Sequence, residues 1–365
     1  MEMDEAALAA VKERNLRLIA SAYEAGDTRL RSLPASLYVD VTKKCNLRCP
    51  SCFRSAPEHA HDDWPELDLP FFERIAHELF PAACRVILSG GGESLLHPGF
   101  SRMLELCLRY RVRPMLYTNA STLTTATVTL LARAGAYLGI SIDGATAETF
   151  ETLRFPLKWE RMLQALDLIR TIGREVNNED FYPYLGVVLQ KDNLGELPLF
   201  LDLAREYGME QVKFSSLIPY YPGLRDKVPA PRDLERELVK ALEKANGLGI
   251  YVYAPVQGNT EFSGRLQELL DINGSLPFRI QRNNPDRFVQ YPRFASPACQ
   301  IPWAECLITA EGKVNIGCCS SYEPGDLRRD PFAAIWNNRK YRKLRKTVNG
   351  RRPLLPCRQG VCPFR

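Results

Sequence analysis

Between residues 37 and 215 the spacing of apolar positions switches repeatedly between two periods. Short apolar or β-branched runs at 37–42, 84–89, 114–118, 137–142, 184–189 and 211–215 read as strands. Between them, at 69–80, 100–110, 124–134, 159–171 and 197–207, apolar residues recur at helical spacing. Strands alternating with helices predict an α/β fold with a parallel sheet of right-handed βαβ units. Six repeats fall short of the eight that close a barrel, so the pattern predicts a partial (β/α)6 barrel. In such folds the chemistry gathers at the carboxyl ends of the strands. The residues there are Cys45 to Cys52 after the first strand, Gly90-Gly91-Gly92-Glu93 after the second and Asn119 after the third. Asp143-Gly144 follow the fourth, Gln190 ends the fifth, and Ser215-Ser216 end the sixth.

The flanks read differently. Residues 1–35 hold an amphipathic helix ended by Gly26, ahead of the barrel at 36–218. From 219 to 295 the pattern weakens to a linker or lid with a helix at 234–245 and a further strand at 249–254. In 296–365, two short strands flank Ala310-Glu311-Gly312, a hairpin signal, and a helix begins after Pro331. This small C-terminal hairpin/helix domain contains six cysteines and few large apolar residues, so metal is expected to supply the stabilisation a small core lacks.

Composition narrows the class without naming a function. The 365 residues are 45% hydrophobic and 25% charged, with a net charge of +5, as in ordinary globular proteins. The densest basic run, 339–352, reads as the solvated face of a helix rather than a nucleic-acid surface. No apolar run approaches the roughly 20 residues of a membrane span, and the N-terminus lacks the pattern of a signal peptide. The expectation is a cytoplasmic protein with neither nucleic-acid nor membrane partners.

The eleven cysteines are an odd number and argue against a disulfide framework. Cys84 and Cys107 stand among apolar neighbours and read as core. Cys45, Cys49 and Cys52 form a C-x3-C-x2-C run, and thiolates select iron–sulfur clusters, zinc or copper(I). Three thiols in eight residues can hold three corners of a cluster and leave the fourth open. A zinc site completed by His59 or His61 is the competing reading.

The triad, its place after the first strand and the glycine run after the second together resemble the radical S-adenosylmethionine (radical SAM) enzymes. The resemblance implies that Cys45, Cys49 and Cys52 hold a [4Fe–4S] cluster whose free iron chelates S-adenosylmethionine. It implies that Gly91, Gly92 and Glu93 approach the methionine amine, Ser141 the ribose, Arg154 the carboxylate, and Val188 the adenine, with Asn119 nearby. Ser94 stands where the family often has proline. Ser51 stands where an aromatic residue usually precedes the third cysteine, and Phe53 is the substitute.

The C-terminal segment resembles the auxiliary-cluster domains called SPASM, or their shorter twitch form. Cys299, Trp303, Gly312, Cys318-Cys319, Gly325-Asp326, Ile335-Trp336-Asn337, Arg345 and the terminal cysteine pair follow that order. The implied ligands of one auxiliary [4Fe–4S] cluster are Cys299, Cys318, Cys357 and Cys362, with Cys319 an alternative to Cys318. The implied reaction is hydrogen-atom abstraction by a 5′-deoxyadenosyl radical, fed by an external one-electron reductant such as flavodoxin or ferredoxin. The short segment ahead of the first strand leaves no room for a winged-helix leader-recognition domain. The expected substrate is therefore small and polar, a sugar or aminocyclitol undergoing dehydrogenation or epimerisation in antibiotic biosynthesis. A ribosomally made peptide is the alternative. Cys306 and Cys319 are the candidate hydrogen donors for epimerisation; Cys306 is otherwise core.

Anaerobically reconstituted protein should hold about eight irons per chain, as two [4Fe–4S] clusters require. Replacing Cys45, Cys49 and Cys52 together by alanine should remove about half of that iron and all cleavage of S-adenosylmethionine. Cleavage that survives the triple replacement contradicts the assignment.

Overall fold

The computed structural model describes residues 4–59, 62–254, 263–276, 299–316 and 322–350. The chain divides into two compact units: 1–44, 64–116 and 284–365 form the first, and 45–63 with 117–283 form the second.

In the first unit the alternation predicted from sequence gives helix α1 (Glu5–Glu24), β1 (Ser36–Val39), α2 (Leu69–Leu79), β2 (Arg85–Leu88), α3 (Phe100–Arg109) and β3 (Arg113–Thr118). Asp4 and Asp68 cap α1 and α2 by accepting from Ala7 and Phe71 N–H groups, which those helix ends would otherwise leave unpaired. The chain leaves α1 through Gly26 at φ +67°, the left-handed position where glycine is favoured. Leu37 and Val39 of β1 are fully buried. They pair in parallel with Val86 and Leu88 of β2.

The other edge of β1 is taken by the C-terminal segment. Strand β8 (Glu305–Ile308) runs parallel to β1 with Leu37 opposite Cys306 and Val39 opposite Ile308. It turns through Gly312, at φ +89°, into antiparallel β9 (Lys313–Asn315), which pairs with β10 (Gly325–Asp326). The hairpin expected from sequence is present, but it has a substantial core. Trp303, Phe332, Trp336 and Tyr341 are buried, and the two indoles donate to the carbonyls of Asp27 and Ser32 at 2.9 and 3.0 Å. The expectation of too small a core is corrected here, because the N-terminal segment provides the missing surface. Cys306 is 1% exposed, and burial pushes its thiol pKa well up; it packs inside this core rather than standing at an open face. Cys84 and Cys107 are, respectively, half-buried and buried in the same unit, where burial also pushes both thiol pKa values up.

The basic helix Arg339–Thr347 buries Tyr341 and Leu344 on one face, and among its lysines and arginines Arg345 alone is buried. Arg345 is buried and donates to the carbonyls of Pro302 at 2.8 Å, Thr28 at 3.0 Å and Trp336 at 2.8 Å. Its guanidinium lies over the rings of Trp336 and Tyr341. Burial lowers its pKa to about 10 against a small opposing pull from Tyr341.

In the second unit the end of β3 is followed by α4 (Thr125–Arg133), β4 (Tyr137–Ser141), α5 (Ala147–Leu153), α6 (Trp159–Val176), β5 (Tyr182–Leu189), α7 (Leu197–Glu206), β6 (Gln211–Ser216), α8 (Pro231–Leu248), β7 (Tyr251–Tyr253) and α9 (Gly264–Ser275). Strands β4 to β7 pair in parallel, in chain order. Their alternate residues Leu138, Ile140, Leu185, Val187, Val212 and Phe214 are buried, and Phe214 meets Phe200 of α7. Strand order is β10-β9-β8-β1-β2-β3 in the first unit and β4-β5-β6-β7 in the second. The fold is α/β with an unclosed parallel sheet, as the periodicity predicts. No described helix is long and apolar enough to cross a membrane.

Arg345→Met should destabilise the fold by roughly 3 kcal/mol, because three buried carbonyls lose a charged donor. A fall in denaturant midpoint with unchanged m-value checks this, and a midpoint matching the parent would show the three bonds to be dispensable.

Candidate functional site

The cysteine loop of the second unit has no regular secondary structure before the short 3-10 turn Phe53–Ser55, so its own bonds fix it. The Cys52 N–H donates to the Cys49 carbonyl at 3.0 Å, and the Ser55 hydroxyl donates to the same carbonyl at 2.9 Å. The Arg48 N–H donates to the Phe155 carbonyl at 2.8 Å, and the Tyr221 hydroxyl donates to the Pro50 carbonyl. Cys49 is buried, while Cys45 and Cys52 are half-buried. Burial pushes the Cys52 thiol up, a backbone hydrogen bond at Arg54 opposes this, and the nearby Cys49 and Cys45 sulfurs add to it. A bound cation relieves both the burial and the mutual repulsion of three thiolates.

Two side-chain donors, one from beyond a strand and one from the end of a helix, meet these sulfurs. Asn119, just beyond β3 and buried, places Nδ2 3.8 Å from Cys45 Sγ and donates to Asn46 Oδ1 at 3.1 Å. Arg154, at the carboxyl end of α5, donates from Nη1 to Cys49 Sγ at 3.5 Å. Its Nε stands 3.3 Å from Asp143 Oδ2, and that carboxylate is 2% exposed. Burial opposes the charge on Arg154, but Asp143 first, then Cys49 and Cys45, hold its pKa above the ordinary guanidinium value.

Asp143 was placed by the sequence at the end of the fourth strand but given no role. Its Oδ1 accepts from the Val188 N–H at 2.8 Å, and its backbone carbonyl accepts from Asn193 Nδ2, also at 2.8 Å. Asn193 Nδ2 also donates to the Val188 carbonyl, and Asn193 Oδ1 accepts from the Gln190 N–H, both at 2.9 Å. One carboxylate thus ties the ends of β4 and β5 to the arginine beside the thiols. The available signal was an Asp-Gly pair at a strand's carboxyl end. Gly144 is required there because a Cβ would lie 2.2 Å from the Phe150 nitrogen.

Ser141 and Val188 sit half-buried on the same face of the sheet, at the carboxyl ends of β4 and β5. Phe53 is half-buried and meets Tyr220 and His59 edge-on at 5.9 Å. The Nδ1 of His59 is engaged by Asp62 at 2.6 Å, and His61 lies outside the described residues.

The glycine run belongs to the first unit, where its packing is tight. A Cβ on Gly92 would lie 2.2 Å from the Lys44 carbonyl oxygen, and one on Gly90 would lie 2.7 Å from that of Thr42. Gly91 takes φ +76°. The Glu93 N–H donates to the Lys44 carbonyl at 2.8 Å, and its side chain is buried. The glycines therefore accommodate the backbone of Thr42–Lys44, the residues that lead into Cys45. Ser94, in the place of the expected proline, donates its hydroxyl to the Leu88 carbonyl at the end of β2 at 3.0 Å.

Of the auxiliary ligands, Cys299 is half-buried and exchanges backbone hydrogen bonds with the Asn349 side chain at 2.8 and 3.1 Å. Cys318, Cys319, Cys357 and Cys362 lie outside the described residues.

Among the described residues, no three His, Cys, Asp or Glu side chains converge as ligands of a single ion must. A cubane cluster, with its irons set apart, asks instead for thiols that stand apart. The second unit meets a further requirement of a cluster that carries an amino-acid carboxylate. Gln190 Nε2 is a buried donor without a hydrogen-bond acceptor among the described residues, whereas Arg154 Nε is ion-paired with Asp143 at 3.3 Å. Buried polar groups are rarely left unmatched, so the Gln190 amide fits an absent acceptor group.

Comparison with known proteins agrees with this chemistry. The Radical SAM superfamily model matches residues 39–204, and the model of an iron–sulfur cluster-binding domain, SPASM, matches 299–363. The AdoMet-dependent heme synthase of Methanosarcina barkeri is 25% identical over 342 residues, covering 92% of this chain and 90% of that protein. The PqqA peptide cyclase of Gluconobacter oxydans is 26% identical over 225 residues, 60% of each chain. Streptococcus suis SuiB bound to S-adenosylmethionine shares the fold with a TM-score of 0.60 at 15% identity, over 88% of this chain and 69% of that one. The two matched domains imply a [4Fe–4S] cluster that binds S-adenosylmethionine, auxiliary iron–sulfur chemistry and S-adenosylmethionine itself. The chain belongs to the radical SAM superfamily and carries a C-terminal SPASM domain.

Proposed function

We propose that this radical SAM enzyme modifies a peptide, with Cys45, Cys49 and Cys52 holding the cluster and Arg154 receiving the carboxylate of S-adenosylmethionine. The observation that carries the cofactor half is Arg154, held charged against Cys49 by buried Asp143. When bound, the cluster and S-adenosylmethionine supply a 5′-deoxyadenosyl radical able to take a hydrogen atom from a substrate C–H bond. The chain's own residues hold and orient. Asp143 fixes the guanidinium, Asn119 steadies Cys45, and Gln190 offers a second donor beside the strand end. An external one-electron reductant such as flavodoxin or ferredoxin serves as partner.

The substrate reading moves from the sugar or aminocyclitol expected from sequence to its alternative, a peptide. A relative that covers 60% of the chain is a peptide cyclase by name. The second unit also leaves Tyr117, Ile218, Tyr220 and Tyr253 exposed at 42%, 56%, 51% and 37%. Apolar and aromatic exposure on this scale suits an extended amphipathic substrate better than a polyol. A cofactor-sized substrate is the second reading, favoured by the nearly full-length match to a heme synthase.

Asp143→Asn should keep the iron content yet weaken binding of S-adenosylmethionine by about tenfold or more, since a charge-assisted contact is worth about 1.5–3 kcal/mol. Isothermal titration of anaerobically reconstituted protein measures it, and parental affinity would remove Arg154 from the carboxylate role. For the substrate, reconstituted enzyme with dithionite and S-adenosylmethionine is offered a random peptide library or, separately, porphyrin precursors. Mass loss or crosslinking in peptides supports the proposal, while change confined to porphyrins overturns it in favour of the second reading.

A further inference from the structure

Parallel pairing sets four residues of the second unit in one row across the sheet. Ser141 on β4 stands opposite Gly186 on β5, Gly186 opposite Lys213 on β6, and Lys213 opposite Tyr253 on β7. Partners in parallel register point to the same face. Here it is the face opposite Leu185, Val212 and Phe214, which are buried. Alternation alone leaves the direction of Lys213 open, and the register settles it.

Lys213 is held in place by aromatic residues. Its Nζ donates to the Tyr117 hydroxyl at 2.8 Å and lies 5.3 Å from the ring centres of both Tyr117 and Tyr253. Tyr117 can lean there because its neighbour on β4 is Gly139. A Cβ at Gly139 would fall 2.6 Å from the Tyr117 ring and 2.8 Å from the Tyr184 hydroxyl. No carboxylate pairs with the Lys213 ammonium among the described residues, whereas Lys227, Lys240 and Lys244 each have one. An ammonium has three donor hydrogens, and the tyrosine oxygen takes one.

Gly186 leaves the floor between Ser141 and Lys213 bare. The nearest atom to a Cβ built on it is the Ile140 carbonyl oxygen at 3.6 Å, an ordinary contact, so the fold does not itself require glycine here. Strands about 4.8 Å apart put Ser141 and Lys213 roughly 10 Å from one another, room for one amino-acid residue lying over the glycine.

Resting on the peptide reading above, we infer that Lys213, set by Tyr117 and Tyr253, is the subsite that receives a carboxylate of the substrate and seats the adjoining residue over Gly186. The carboxylate is that of an acidic side chain or of the peptide's own C-terminus. Lys213 provides the charge, Tyr117 aims it, and the tyrosine rings exclude water from one side of the ion pair. Tyr117 is a positioning residue here, and Gly186 supplies the space.

Four probes test this by isothermal titration into reconstituted holoenzyme with S-adenosylmethionine. They are an acetylated, amidated pentapeptide with a central Glu, its Gln counterpart, the Gln peptide with a free C-terminal carboxylate, and glutarate. One carboxylate-bearing peptide should bind about tenfold more tightly than the neutral peptide, and which one does so identifies the source of the charge. Lys213→Met should erase that preference, Tyr117→Phe should reduce it, and the exposed control Lys346→Met should leave it intact. Gly186→Val should melt at the parental temperature yet weaken all three peptides. Equal or absent binding of the peptides, or a preference that survives Lys213→Met, overturns the subsite. Glutarate separates this result from the peptide proposal. Lys213-dependent glutarate binding alongside a silent peptide-modification assay would fault the peptide reading alone, and peptide modification without any carboxylate preference would fault the subsite alone.

Discussion

The second unit depends on one buried charge. Asp143 is 2% exposed, and a carboxylate so placed persists only if opposite charge and hydrogen bonds replace its water. Arg154 gives the charge, and the Val188 N–H gives a hydrogen bond at 2.8 Å. The consequence extends beyond stability. To neutralise Asp143, the guanidinium must lie beside Cys49, and to bind Val188, the end of β5 must lie beside the end of β4. Three elements far apart in sequence are thereby set against the cysteine loop by a single side chain. Removing one partner of such a pair leaves an uncompensated charge and costs about 3–5 kcal/mol. The arrangement is correspondingly rigid before any cofactor arrives.

Much of the architecture was legible in the sequence because the signal is periodic. Six apolar runs alternating with amphipathic helices are observed as β1 to β6, and the residues named at their carboxyl ends lie at those ends. What could not be read was pairing over long separations. The run at 305–308 looked like half of an isolated hairpin, yet its other edge joins β1 in parallel, Leu37 against Cys306. No local pattern encodes that partner. It follows from a strand, β1, whose second edge needs covering, and from Trp303 and Trp336 donating to Asp27 and Ser32 carbonyls. The same distance effect explains Arg345, one basic residue in a basic run, which is buried only because Thr28 and Pro302 present carbonyls to it.

The candidate site was legible where family resemblance supplied roles and illegible where only geometry could. Cysteine spacing and the glycine run pointed to the chemistry, but the glycines at 90 and 92 answer to the close backbone of Thr42–Lys44. Ser94 answers to the Leu88 carbonyl, a bond a proline could not make. Asp143 was given no role because an Asp-Gly pair after a strand is indistinguishable from a turn until its oxygens are located. The expected ligands Cys318, Cys357 and Cys362 and their alternate Cys319 lie outside the described residues, so the auxiliary site rests on its spacing and on the matched domain.

One face of the sheet then carries two kinds of residue with different constraints. Ser141 and Val188 are tied to the buried network through the strand ends, so their positions vary little without disturbing Arg154. Lys213 and Tyr117 make no bond to that network; they hold one another, over glycines that leave them space. In the proposed roles, the cofactor end and the recognition end are therefore supported independently. Under that proposal, substitutions around Lys213 alter which molecule is positioned without altering the residues beside the cysteines. The separation is physical: it lies in the bare backbone of Gly186, between Ser141 on the strand that leads to Asp143 and Lys213, held by the Tyr117 hydroxyl and two tyrosine rings.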